Sequence, residues 1–309
     1  MTLFDVYVVV DWSASSRPVT GENSIWIATA HRENDDEAAT DNPPTRAVAE
    51  RGVRAVLDEH AGSRVLLAID ATLGLPAGSA TLLGWDGPPW SAAWREIADL
   101  VTDDERNGNN RFEVAARLNR RVVGEGPFWG CPPAQAGECL SPTKPVSFPV
   151  AEFRTTEREL RRCGWHPKSV WQLLGAGSVG GQTLTVLPML ERLRADLGDR
   201  VEVWPFTTGL APPATAGGSV VIAEVWPTLF GAGDGEAGPV KDARQVSATA
   251  ATLRRADRRG ALAGWFAPTC VDPSVVVAEE GWVLSPVSAG LDQCPDDLDG
   301  LGDAAHRPR

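Results

Sequence analysis

Residues 6–10 are an unbroken apolar run, Val-Tyr-Val-Val-Val, that stops at Asp11. A strand apolar at every position is one covered on both faces, as in the middle of an α/β sheet. The same pattern returns twice. Val-Leu-Leu-Ala-Ile at 65–69 precedes Asp70, and Val-Val-Ile-Ala at 220–223 precedes Glu224. Between these runs the periodicity changes. Ala49, Val53, Val56 and Leu57 fall on one face of a helix predicted over 45–60 and stopped by Gly62.

The rest of the pattern is read in the same way. Residues 24–30 predict a second strand, reached through a turn region at 13–22, and the charged, Pro-rich stretch 32–44 predicts a solvated loop. Gly74-Leu75-Pro76 breaks the chain after Asp70. Residues 77–165 predict an insertion, with loops such as 84–90 and helices over 91–101, 111–123 and 152–163. There follow a helix over 182–197, strands over 200–204 and 219–225, and a long helix over 241–265 that turns Val246, Ala250 and Leu253 inward. Residues 282–284 predict a short edge strand, and the acidic, Gly-rich tail a disordered end. Strands alternating with helices in this order predict an α/β fold with a mixed sheet. One domain spans 1–290, and 291–309 is the tail.

Composition narrows the class. At 309 residues and 43% hydrophobic content the chain can bury a large core. It has no apolar run near the ~20 residues of a membrane helix. The N-terminus lacks the basic stretch of a signal peptide. Five cysteines without CxxC spacing read as free thiols of a cytoplasmic protein, and four scattered histidines argue against structural zinc. A net charge of -12 excludes a general nucleic-acid coat, so any contact with phosphate needs local basic groups or bridging cations.

The three acids carry the candidate chemistry. Open α/β sheets place ligands at the carboxyl ends of their strands. If the three strands are parallel neighbours, Asp11, Asp70 and Glu224 converge. Like charges a few Å apart require a shared proton or a cation between them. Mg²⁺ or Mn²⁺ suits such oxygen ligands and supports phosphoryl chemistry.

Several segments together resemble the bacterial family called domain of unknown function 429, described as predicted RNase H-like nucleases. They are Val9-Val10-Asp11, Ala68-Ile69-Asp70-Ala71-Thr72-Leu73-Gly74-Leu75-Pro76, the arginine-rich run from Phe153 to Arg161, Ile222-Ala223-Glu224-Val225-Trp226-Pro227 and Glu280-Gly281-Trp282. The resemblance spans about residues 5–286 in order and spacing. It implies an RNase H-like fold and an acidic cluster at Asp11, Asp70 and Glu224. Asp242 matches the family's acidic start to the last long helix, but Gln245 stands where a further acid is expected. Glu157 replaces an Asp of the arginine motif.

Other positions are candidates for holding substrate. Gly175-Ala176-Gly177-Ser178-Val179-Gly180-Gly181-Gln182 contains GxGxxG ahead of a helix. Three readings stay open: a dinucleotide fingerprint, an anion-binding loop of Gly177, Ser178 and Gly180, or a tight structural turn. Arg154, Arg158 and Arg161 share a helical face and match phosphate geometry, with Lys168 near in sequence. The alternative is a solvated face paired with Glu157 and Glu159. Trp129 lies in an aromatic turn, and with Trp12, Trp204 and Trp226 it is either core or a stacking wall. Arg111, Asn119, Arg120 and Arg121 read as surface charge or as a lining of the insertion. Ser13 is a phosphate contact; with no His near it, a serine hydrolase is rejected.

These readings combine into a metal-dependent phosphodiester hydrolase acting on a nucleic acid or nucleotide. Asp11, Asp70 and Glu224 are its metal ligands, and Asp242 is a less certain fourth. Two alternatives remain: a nucleotide-using enzyme of molybdopterin or cobalamin metabolism, and a non-catalytic nucleotide-binding protein.

Overall fold

Strand β1 (Val6–Asp11) lies at the centre of a six-stranded mixed sheet because both of its faces are apolar; Val6 to Val10 are at most 2% exposed. The computed structural model describes residues 2–34, 38–175, 177–231, 240–269 and 272–287. β2 (Trp26–His31) runs antiparallel to β1, and β3 (Ala39–Asp41) pairs antiparallel with β2. After helix α1 (Arg46–Glu59), β4 (Val65–Asp70) returns parallel to β1. Helices α2 (Ser79–Leu83), α3 (Pro89–Leu100), α4 (Arg111–Asn119), α5 (Thr155–Arg162) and α6 (Val179–Leu197) follow. β5 (Val201–Val203) and β6 (Val220–Glu224) then complete the order β3-β2-β1-β4-β6-β5, with β6 parallel to both β4 and β5. The chain continues into α7 (Lys241–Arg258) and α8 (Leu262–Trp265).

Strand side chains alternate between faces. Val8, Val10, Leu67, Ile69 and Ile222 pack beneath α1, α3, α4 and α6. Tyr7, Val9, Leu66, Ala68 and Ala223 pack against α7 and α8 on the other side. The predicted insertion is therefore one wall of the main core. Each fully buried aliphatic side chain contributes about 1.5–3 kcal/mol.

The structure departs from the sequence reading at several boundaries. The predicted loop 32–44 contains β3, an edge strand whose exposed Ala39, Thr40 and Asp41 show no hydrophobic pattern. The helix expected over 111–123 ends at Asn119. That side chain donates to Phe128 O (2.9 Å) and Cys139 O (2.8 Å) and accepts from Phe128 N (3.0 Å), so it ties down the next loop. The helix expected over 241–265 breaks after Arg258 and resumes as α8. Residues 282–284 form no edge strand. Val283 makes a single bridge to Glu224, and Trp282 and Leu284 are fully buried beyond the end of β6.

Cys131 and Cys139 are free thiols, but Cys163 is disulfide-bonded, contrary to the expectation of free thiols throughout. Among the described residues, no helix is long and apolar enough to cross a membrane. The predicted tail, 291–309, lies outside the described residues.

Candidate active site

The parallel pairing of β1 with β4 brings Asp11 and Asp70 opposite each other at the last register position. Neighbouring strands lie about 4.8 Å apart. Both side chains follow the parity of Val9 and Ala68, so they leave the sheet on the α7 side. There α7 supplies a third acid. Its buried stripe of Ala243, Val246, Ala250 and Leu253 lays the helix over β1 and β2. That places Asp242, in its first turn, beside the strand ends, where an acid also complements the helix dipole. The Asp242 Oδ2 accepts the Asn23 N–H at 2.7 Å.

Asp11 and Asp70 are half-buried, and no donor among the described residues compensates either carboxyl. Burial, followed by the charges of Asp70 and Asp242, holds the Asp11 carboxyl well above the usual carboxylate range. Burial, followed by the charges of Glu224 and Asp242, pushes Asp70 up to about 8. Two adjacent acids that repel, and that the protein leaves without donors, are in the condition a divalent cation relieves.

Glu224, expected as the third ligand, pairs with Ile69, one position short of Asp70; it lines the same hollow as Asp70 and its charge acts on that carboxyl. It meets Arg154, which is fully buried. Arg154 Nη2 donates to Glu224 Oε1 at 2.6 Å and Nη1 to Oε2 at 2.8 Å, and Leu73 N donates to Oε2 at 3.0 Å. Both carboxylate oxygens are thus committed. The remaining Arg154 donors go to Glu157 and to Glu280 O (2.8 Å). This corrects the phosphate-binding role expected of Arg154. All five of its N–H groups serve the protein, and its burial is compensated by two carboxylates.

Two adjoining hollows open over the strand ends. The larger, about 410 Å³, is lined by Asp11, Ser13, Arg111, Gly177, Ser178 and Asp242 among others. The smaller, about 210 Å³, is lined by Asp70, His166, Lys168, Gly177, Trp226 and Glu224 among others. Gly177 belongs to both. Ser13, Gly177, Ser178 and Lys168 therefore do reach the carboxylates' surroundings. Ser13 Oγ donates to Asn23 O at 3.1 Å.

Three other expected contacts are displaced. Gly180 is inside α6, and its N–H is taken by Gln172 O at 2.9 Å. A Cβ there would lie 2.2 Å from Val170 O, so this glycine serves close packing rather than an anion. Arg158 turns back on its own helix, donating to Phe153 O (2.7 Å) and Thr155 Oγ1 (2.8 Å). Trp129 lines a separate hollow in the insertion, where its backbone bridges to Gln172. Of the other tryptophans, Trp12 and Trp204 are core.

Arg111 was underrated. It shares the buried face of α4 with Val114, Ala115 and Leu118, and it is only 5% exposed. The spacing i, i+3, i+4, i+7 was present in the sequence and marks it as an inward-facing arginine.

Among the described residues, no three His, Cys, Asp or Glu side chains stand at metal-ligand spacing. The fit of a cation rests instead on the uncompensated Asp11–Asp70 pair, whose hard oxygen donors suit Mg²⁺ or Mn²⁺. Comparison of the chain with family models, with curated proteins and with solved structures finds no match.

Proposed function

We propose that this chain is a divalent-metal-dependent phosphodiester hydrolase of RNase H-like architecture. The observation that carries the reading is the in-register pair Asp11 and Asp70, uncompensated by any donor among the described residues and open to a cleft. Asp242 lines the same cleft from α7; Glu224 is a buried anchor for Arg154. The sheet order supports the architecture. An antiparallel run β3-β2-β1 is followed by parallel β4 and β6, and a helix lies over the first strands. The spacing of the acid-bearing motifs, resembling predicted RNase H-like nucleases, supports it as well. Fold likeness alone does not define chemistry, so the reaction rests on the acids.

A bound divalent ion would lower the pKa of a coordinated water and neutralise a phosphoryl oxygen. The chain's own part would be to hold that ion with the Asp11 and Asp70 carboxylates, while the buried Arg154 network anchors Glu224 beside them. Lys168 supplies positive charge on the Asp70 side of the cleft. A hollow of about 410 Å³ matches a nucleotide better than a long duplex, and the net charge of -12 points the same way.

The test is cleavage of labelled single strands, RNA–DNA hybrids and short oligonucleotides with Mn²⁺, comparing the native chain with Asp70→Asn. The reading requires metal-dependent cleavage that the variant loses. A native chain that binds nucleotides by thermal shift but cleaves none of these substrates turns the assignment to the non-catalytic alternative.

A further inference from the structure

Arg111 has an unusual set of partners for a buried arginine. Its Nη1 donates to Ser16 Oγ (2.9 Å) and to Asn109 Oδ1 (2.8 Å). Its Nε is buried with no hydrogen-bond partner. No carboxylate among the described residues forms an ion pair with it. The contrast with the other two buried arginines near the site is sharp. Arg46 is paired with Asp103, and Arg154 with Glu157 and Glu224. Burial, with the Arg46 charge adding to it and the Asp103 charge opposing it, lowers the Arg111 guanidinium to about 10, and the guanidinium lies 4.2 Å from the centre of the Phe112 ring. A buried guanidinium without an ion pair carries a desolvation cost that a bound anion would offset.

A second, independent feature meets Arg111 in the larger hollow. The 19-residue helix α6 begins there, with Ser178 as N-cap and no side-chain cap bond. Of its first N–H groups, Ser178's donates to Gly175 O (3.1 Å) and Gly180's to Gln172 O (2.9 Å), which leaves those of Val179 and Gly181, without a partner among the described residues, at the positive end of the helix dipole. Gly181, in this first turn, is what lets the guanidinium approach. A Cβ at Gly181 would stand 3.3 Å from Arg111 Nε, 3.1 Å from Ala14 Cβ and 2.9 Å from Leu173 O.

From these observations we infer that Arg111 and the N-terminus of α6 form a phosphate subsite in the cleft that Asp11 and Asp242 also line. The ligand class is a tetrahedral phosphoryl group, held by the guanidinium and by the backbone N–H groups of Val179 and Gly181. In the hydrolase reading, this subsite holds the phosphate that the metal side of the cleft acts on. The inference itself rests on Arg111 and α6, and it is tested without metal.

The experiment uses the full chain in EDTA with inorganic phosphate as the probe and NaCl at matched ionic strength as the control. Binding is read by thermal shift and by the ¹⁵N signal of the Arg111 Nε–H. Phosphate, and not NaCl, is expected to move that signal and raise Tm. Arg111→Lys keeps the charge but loses the fork, and should weaken binding by about tenfold. A folded native chain whose Arg111 signal ignores phosphate overturns the inference, as does a folded Arg111→Lys variant with unchanged affinity. If Arg111→Lys does not fold, the native signal alone decides. Phosphate binding in EDTA without any metal-dependent cleavage would sustain this subsite while removing the hydrolase reading.

Discussion

Replacing Asp70 by Asn should stabilise the metal-free protein, and the gain should depend on pH. In the folded chain Asp70 is pushed from 3.8 up to about 8 by burial and by Glu224 and Asp242. A carboxyl whose folded pKa is raised weighs on stability once the unfolded chain ionises. Stability is intact below about pH 4 and falls as pH rises toward 8, because the unfolded state has released a proton that the folded state keeps. Each unit of this gap corresponds to about 1.4 kcal/mol. At pH 7 the penalty is on the order of 4 kcal/mol. Asparagine has nearly the same shape and no charge to desolvate. We expect Asp70→Asn in EDTA to gain about 2–4 kcal/mol at pH 7 to 8 and little near pH 4, a rise in Tm of several degrees. Saturating Mn²⁺ should reverse the order, stabilising the native chain by binding its carboxylates and leaving the variant nearly unmoved. The assay is thermal or urea unfolding from pH 4 to 8.5, with EDTA or Mn²⁺. An Asp70→Asn chain with the native pH slope, or one less stable than native at pH 8 in EDTA, refutes the reasoning that this carboxyl is held against repulsion.

Further outcomes follow from the same geometry. Arg154→Met leaves Glu157 and Glu224 buried without their shared cation, so unfolding should become easier by about 3–5 kcal/mol in urea melts. Glu224→Gln should change Mn²⁺ affinity by less than about threefold in calorimetry, because both of its oxygens already serve Arg154 and Leu73. A tenfold loss would return Glu224 to the ligand set. Gly180→Ala forces a methyl against Val170 O and Gln172 O, at 2.2 and 2.6 Å, and should cost about 1–3 kcal/mol or more in Tm comparisons. The Arg64 guanidinium bonds Asp5 and holds its carboxyl down at about 2. The stability this pair contributes is present above about pH 4 and is lost as pH falls toward 2. Asp5→Asn should therefore flatten the acid limb of the melting curve between those values, while a limb of unchanged slope would exclude the pair as its source.

What the amino-acid order determined by itself was the set of central strands and the residues that end them. Apolar runs of five at 6–10 and 65–69 can be satisfied only by burial on both faces, so β1 and β4, and the exposed ends at Asp11 and Asp70, were legible locally. The stripe through Val246, Ala250 and Leu253 likewise identified the inward side of α7. β3 left no trace, since an exposed edge strand buries too little to need a hydrophobic pattern.

Register and pairing were decided by the tertiary structure. Whether β6 meets β4 at Ile69 or at Asp70 is a shift of one residue, invisible in composition, yet it leaves Glu224 out of register with Asp70 and within reach of Arg154. The partner of a charge is equally non-local. Arg154 and Arg111 look alike in sequence, but Glu224, 70 positions further along the chain, returns to the first, and no carboxylate among the described residues forms an ion pair with the second. Local pattern records which side chains must leave water. Which charges then meet depends on strand offset and helix placement, and these are set by packing across the whole core.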